Sequence, residues 1–200
     1  RVRRQRQMCI RDSRDFYATC SPSMDILISS NLERLLYMIT DQNDAQIREW
    51  FGSLAETGRY EVTDDVKKVL KEEFFGGYCD DEQTKATISE IYKKYSYTCD
   101  THTAVAVKVY EDYKKATGDE TKTLIASTAS PYKFSASVLE AIEGKKSDLD
   151  EYDMVARLAE LSDITVPSAL ADLKNKERRF TGSIEKSDMN NYVLKDFGLA

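Results

Sequence analysis

The sequence has no apolar run approaching the roughly 18 residues that a membrane span needs; the longest candidates, 26–28 and 104–107, are far shorter. It has one histidine, His102, and four cysteines, Cys9, Cys20, Cys79 and Cys99, with no CxxC pair. Zinc sites draw on paired ligands at short spacing, so this set predicts no metal site. Widely spaced thiols fit a reducing, cytoplasmic compartment better than a disulfide framework. The basic start of the chain lacks the apolar stretch of a secretory signal, and no internal repeat is present.

The residues that are present are ordinary in amount and uneven in placement. The 200 residues carry 29 Lys+Arg and 35 Asp+Glu, with 41% hydrophobic residues, enough to bury a core. Residues 1–13 hold five Arg and one Asp; removing their +4 from the formal −6 leaves −10 for residues 14–200. A nucleic-acid binder needs positive charge over a folded face, and this body is acidic. Residues 1–13 read as a non-native or disordered basic stub, since they share neither the composition nor the periodicity of residues 14–200.

From residue 21 the apolar positions take a helical period. Leu32, Leu35, Leu36 and Ile39 form an i, i+3, i+4, i+7 stripe, with Ser30 and Glu33 at the spacing of a capping box. Further helices are expected over 45–56, stopped by Gly58, then from Asp64 or Asp65, and from Asp80 or Asp81. Another runs over 102–117, with Thr101 or Thr103 as its cap and Gly118 as its stop. Residues 123–127 read as a short buried strand. Ser130 then caps a helix that opens on Pro131 and runs to 143. After a charged connector, helical patches are expected at 154–161, 168–174 and around Met189–Phe197.

A helix–strand–helix order is α/β grammar, and such sheets bind ligands at the carboxyl ends of strands, beside helix starts. Ser127-Thr128-Ala129-Ser130-Pro131 occupies that position. Its small side chains admit a flat ligand and its hydroxyls can bond to it, although an ordinary β–α turn has the same composition. Ser29, Ser30 and Asn31 start the first helix, where free N–H groups attract anions, and Arg34 stands one turn in. Plain capping explains these residues as well. His102 is a candidate general base, or a packing residue at a helix start.

The blocks SPSMDILISSNLERLLY (21–37), DTHTAVAVKVYEDY (100–113) and IASTASPYKF (125–134) resemble, in order, those of bacterial and fungal threonine synthases. The resemblance extends to VPSALADLKNKERRF (166–180). It implies an α/β, mostly helical chain forming the C-terminal part of a fold-type II (tryptophan synthase β-like) enzyme that uses pyridoxal 5'-phosphate. Such enzymes convert O-phospho-L-homoserine and water to L-threonine and phosphate. The implied organisation is a part of the cofactor-binding catalytic region over 14–144, with a helical insertion at about 43–99, and a C-terminal helical segment over 145–200.

Residue by residue, Thr128 matches the family threonine whose hydroxyl bonds the cofactor's pyridine nitrogen, and Ser127 flanks it as a weaker cofactor contact. Ser29, Ser30, Asn31, Arg34 and Lys133 fall in matching blocks and are candidates for binding the substrate or its phosphate. Ser130 and Tyr132 stand where the family often has His and Ala, and Thr101 where Pro is common. The family's cofactor-linking lysine, in an F-K-D type motif, and its glycine-rich phosphate loop are absent from these 200 residues. The expectation is therefore an enzyme fragment, inactive alone, that completes its site with the missing N-terminal part of the same enzyme. The alternative is a stand-alone helical interaction module without catalysis. Neither nucleic acid nor membrane is expected as a partner.

Overall fold

A computed structural model describes residues 9–11, 16–162, 164–179 and 181–199. Of the basic stub only 9–11 is described; the rest of that expectation lies outside the described residues. The chain divides into two units, Arg1–Thr165 and Val166–Ala200.

The first unit is built mainly of helices: α1 (Ser30–Ile39), α2 (Asp44–Thr57), α3 (Asp64–Glu73), α4 (Asp81–Tyr95), α5 (Thr101–Thr117), α6 (Ser135–Glu143) and α7 (Glu151–Leu161). Strands β1 (Cys9–Arg11) and β2 (Arg59–Glu61) pair antiparallel, with Ile10 opposite Tyr60. The chain is mostly helical, as expected, but the described ladder does not belong to the helix–strand–helix unit.

The expected buried strand at 123–127 is not formed. Residues 119–128 carry no regular structure, and Leu124 is 99% exposed. A strand must satisfy its N–H and C=O groups on a neighbour, and no described strand lies beside this segment. The helices on either side of it are present. α5 ends on Gly118 in the left-handed region, at φ +71°, and Pro131–Phe134 forms a 3₁₀ turn leading into α6.

Two packed groups arise from the apolar periodicity. The first gathers Leu36, Ile47, Trp50, Leu54, Tyr60, Val66 and Leu70 from α1, α2, β2 and α3, with Val62 from the link between β2 and α3. Trp50 stacks on Tyr60 with ring centroids 6.2 Å apart. In the second, α4 packs on α5 and α6, and α6 on α7. It buries Ile88, Ile91, Ala104, Val138, Leu139 and Leu158. Each buried Val, Leu or Ile among them contributes about 1.5–3 kcal/mol relative to exposure. Lys85 pairs with Glu140 at 2.9 Å across α4 and α6, and Arg157 with Glu143 at 2.8 Å across α7 and α6.

Helix starts differ from the sequence reading in instructive ways. α1 begins at Ser30 with Ser29 at the cap position, and neither end of the expected capping box forms. That register puts Leu32, not Glu33, at the third helical position, where a box needs a Glu or Gln. α5 is capped by Asp100 rather than by a threonine, because a carboxylate accepts both free N–H groups at once. α3 starts behind Thr63, leaving Asp64 and Asp65 in its first turn, where the helix dipole favours acid. α4 has Asp80 as its cap and a complete capping box with Gln83. Gly77 lies against α5: a Cβ there would meet Val109 Cγ1 at 2.8 Å.

The second unit holds α8 (Ser168–Ala171), a 3₁₀ turn at Leu173–Asn175, another at Lys186–Asp188, and α9 (Met189–Asp196). The helix expected over 168–174 thus breaks after one turn. Met189, Tyr192, Val193 and Phe197 are exposed rather than packed.

Candidate functional site

The start of α5 carries the densest polar network around the hydroxyl tract. Asp100 is fully buried, and its carboxylate accepts the N–H groups of His102 at 2.8 Å and Thr103 at 3.2 Å. Its other oxygen accepts the Thr103 hydroxyl. Thr103 Oγ1 lies 3.2 Å from Ser127 Oγ, and the Tyr97 hydroxyl reaches the same serine at 3.5 Å. Sequence reasoning used 100–113 as a matching block but missed Asp100, Thr103 and Tyr97 as a unit. The available signal was the Asp-x-x-Thr spacing, which puts a cap and a third-position hydroxyl on one helix end.

Thr128, next in the chain, is exposed, and its hydroxyl has no hydrogen bond among the described residues. Two residues on, Ser130 Oγ accepts the Tyr132 N–H at 3.4 Å, the cap that the sequence predicted. Tyr132 is buried, and its hydroxyl donates to the Ile164 carbonyl and lies 3.2 Å from Ser162 Oγ. Tyr132 therefore ties the tract to the chain beyond α7. Lys133 is exposed, with Nζ 5.4 Å from the Phe134 ring centroid. Ser127 also borders a cleft of about 410 Å³ between α4 and α5, along with Ile91, Tyr95, Tyr97, Thr103 and Tyr110.

The second set of predicted residues sits at the start of α1. Ser29 is half-buried, while Ser30, Asn31 and Arg34 are exposed. The Arg34 guanidinium donates to the Asn31 side-chain oxygen, so the two hold each other across one helical turn. No hydrogen bond or ion pair among the described residues joins this set to Ser127–Lys133. The segment ahead of α1 does reach α5: Ser21 Oγ and His102 Nδ1 share a hydrogen bond. His102 stands edge-on to Phe134 at 4.7 Å, and its Nε2 is buried without a partner among the described residues.

Chemistry elsewhere is quiet. Burial, reinforced by Asp81, pushes the Cys20 thiol up to about 12, and burial with Asp100 does the same to Cys99. Burial also raises Cys79, which lies 3.2 Å from the Thr84 hydroxyl. These thiols are protonated, weak nucleophiles at neutral pH. Among the described residues, no three His, Cys, Asp or Glu side chains gather in a group fit for a metal ion. No described helix is long and apolar enough to cross a membrane.

Residues 103–191 match the family "Threonine synthase, C-terminal". The chain is 34% identical to threonine synthase of Methylobacillus glycogenes over 137 residues, 68% of this chain and 28% of that one. It is 31% identical to threonine synthase of Pseudomonas aeruginosa over 170 residues, 85% of this chain and 32% of that one. In structure it is similar to PLP-bound threonine synthase from Brucella melitensis, with a TM-score of 0.69 and 28% identity, covering 92% of this chain and 35% of that one. The chain spans about a third or less of the length of these two curated relatives. Sequence and fold thus match the C-terminal portion of threonine synthases.

Proposed function

We propose that this chain, whose sequence and fold match the C-terminal portion of threonine synthases, is one wall of the pyridoxal 5'-phosphate site of a longer threonine synthase. The observation that carries the reading is Thr128: an exposed hydroxyl without a partner among the described residues, on an irregular segment tied down at Ser127 and Ser130. A free hydroxyl flanked by Ser127, Ala129 and Ser130 fits the edge of a flat aromatic ring, because small neighbours let the ring approach the backbone. Thr128 would hold the ring nitrogen by a neutral hydrogen bond, with Ser127 beside it. When bound, the cofactor supplies a conjugated sink for carbanion charge.

The substrate of the whole enzyme, on this reading, is O-phospho-L-homoserine, and the products are L-threonine and phosphate. Arg34 and Lys133 are exposed cations able to meet the substrate's phosphate. Ser29, Ser30 and Asn31 add hydroxyl and amide groups at the start of a ten-residue helix. The cofactor-linking lysine and the phosphate loop would come from the N-terminal part of the same enzyme, so the 200 residues alone are inactive. A cytoplasmic home is supported by the free thiols of Cys20, Cys79 and Cys99. Against the stand-alone module, the segment around Leu124 has no described strand to pair with and leaves that side chain almost fully exposed.

The test is a titration of the full-length protein with pyridoxal phosphate, followed by visible absorbance, beside Thr128→Val. Loss of the hydroxyl should weaken binding about fivefold or more, the worth of one hydrogen bond. Unchanged affinity and spectrum in the variant would remove Thr128 from the site.

A further inference from the structure

We infer that Thr103 is a positioning residue: through Ser127 it fixes where the Thr128 hydroxyl points, an inference that rests on the reading of Thr128 as a cofactor contact. Thr103 is 5% exposed and sits in the first turn of α5, with its hydroxyl turned to Asp100 and Ser127. A hydroxyl has one proton to give. Here two acceptors surround it, the Asp100 carboxylate and Ser127 Oγ. The charged oxygen makes the stronger bond, and Ser127 Oγ shares the same hydroxyl from the other side. Ser127 Oγ is the second acceptor of the Thr103 hydroxyl, and it accepts from the Tyr97 hydroxyl as well.

The direction of this chain matters because its far end is immobile. Asp100 cannot turn without releasing the N–H groups of His102 and Thr103 and uncapping a helix of 17 residues. Ser127, by contrast, belongs to a segment with little else to hold it. Residues 124–126, 128 and 129 make no hydrogen bond among the described residues, and the next anchor is Ser130. The hydroxyl of Thr128 is therefore suspended between two serines, and only one of these is bonded to a helix core. Cutting the bond at Thr103 leaves the Thr128 side chain in place chemically but lets it wander from the ring nitrogen.

The experiment uses the full-length protein, titrated with pyridoxal phosphate and read by visible absorbance and circular dichroism of the bound cofactor. Thr103→Val keeps the shape and removes the hydroxyl. It should weaken cofactor binding about fivefold, the worth of one hydrogen bond, and alter the dichroism of the bound cofactor. Thr103→Ser should restore both, which a loss of packing alone would not permit. Ser127→Ala cuts the same chain while leaving the Asp100 cap whole; because Ser127 also stands beside the ring, it should weaken binding at least as much as Thr103→Val, even if the valine variant folds poorly. Wild-type affinity and dichroism in Ser127→Ala, or in a folded Thr103→Val, would overturn the inference while leaving the Thr128 reading intact. Wild-type binding in Thr128→Val would overturn both.

Discussion

The carboxylate of Asp100 holds the hydroxyl of Thr103 while capping the helix that both residues begin. One buried acid thus bonds both the start of α5 and the hydroxyl that reaches Ser127. Asp100→Ala removes the cap and strands a buried hydroxyl, and should cost about 2 kcal/mol. Chemical denaturation of wild type and variant measures it. A cost under a few tenths would mean that the cap contributes nothing in this context.

Leu36 is fully buried in the core formed by α1, α2, β2 and α3. Leu36→Ala should destabilise by about 2–5 kcal/mol, through lost transfer energy and the cavity left behind. Leu124→Ala in the same assay is the contrast. Its side chain is 99% exposed in this chain, so the isolated chain should not register its loss. A full-length protein in which Leu124 is covered should.

The Asp119 carboxyl is held down to about 2 from its ordinary 3.8 by the Thr121 hydroxyl, the Tyr113 hydroxyl and the Thr121 N–H. A depressed acid contributes stability above its unfolded value and loses that contribution as pH falls through the folded one. The turn after α5 should therefore hold at pH 3.8 and loosen toward pH 2. A carboxyl-carbon NMR titration of Asp119 checks this; a midpoint at the ordinary value would show that the turn does not form in solution.

The thiols of Cys20 and Cys99, pushed up to about 12 by burial and a neighbouring carboxylate, should resist alkylation at neutral pH in the folded protein. Both should react once the chain is denatured. Rapid labelling of either in the folded state would show that its carboxylate neighbour is displaced or its burial incomplete.

Much of the helical frame is legible in periodicity, because apolar stripes at Leu36, Ile47, Trp50, Leu54, Ile88 and Leu139 are local patterns that burial rewards. The stops at Gly58 and Gly118 are legible in the same local way: each takes the left-handed region that glycine alone adopts cheaply. Cap identity is harder. Asp100 outcompetes two neighbouring threonines, and a one-residue shift at Ser29 dissolves the expected capping box. The strand expected at 123–127 fails because an apolar run says only that a segment is fit for burial. Pairing depends on a neighbour supplied from elsewhere.

The candidate site is legible where chemistry follows sequence and hidden where it follows space. Ser127 and Thr128 stand out as hydroxyls ahead of a helix start. The bond between Thr103 and Ser127 spans 24 residues, and no spacing rule reaches that far. Ser21 and His102 meet over a separation of 81 residues, which is equally invisible to local patterns. Tyr132, an oddity in a motif that often has Ala there, ties its segment to Ile164.

On the proposed reading this chain forms one wall of a threonine synthase. The most direct measurement supplies the full-length protein with pyridoxal phosphate and O-phospho-L-homoserine and counts phosphate and threonine together. Equal amounts of both are expected from the full-length protein and neither from residues 1–200 alone. A full-length protein that binds the cofactor yet releases no threonine, or 200 residues that turn over unaided, would contradict it.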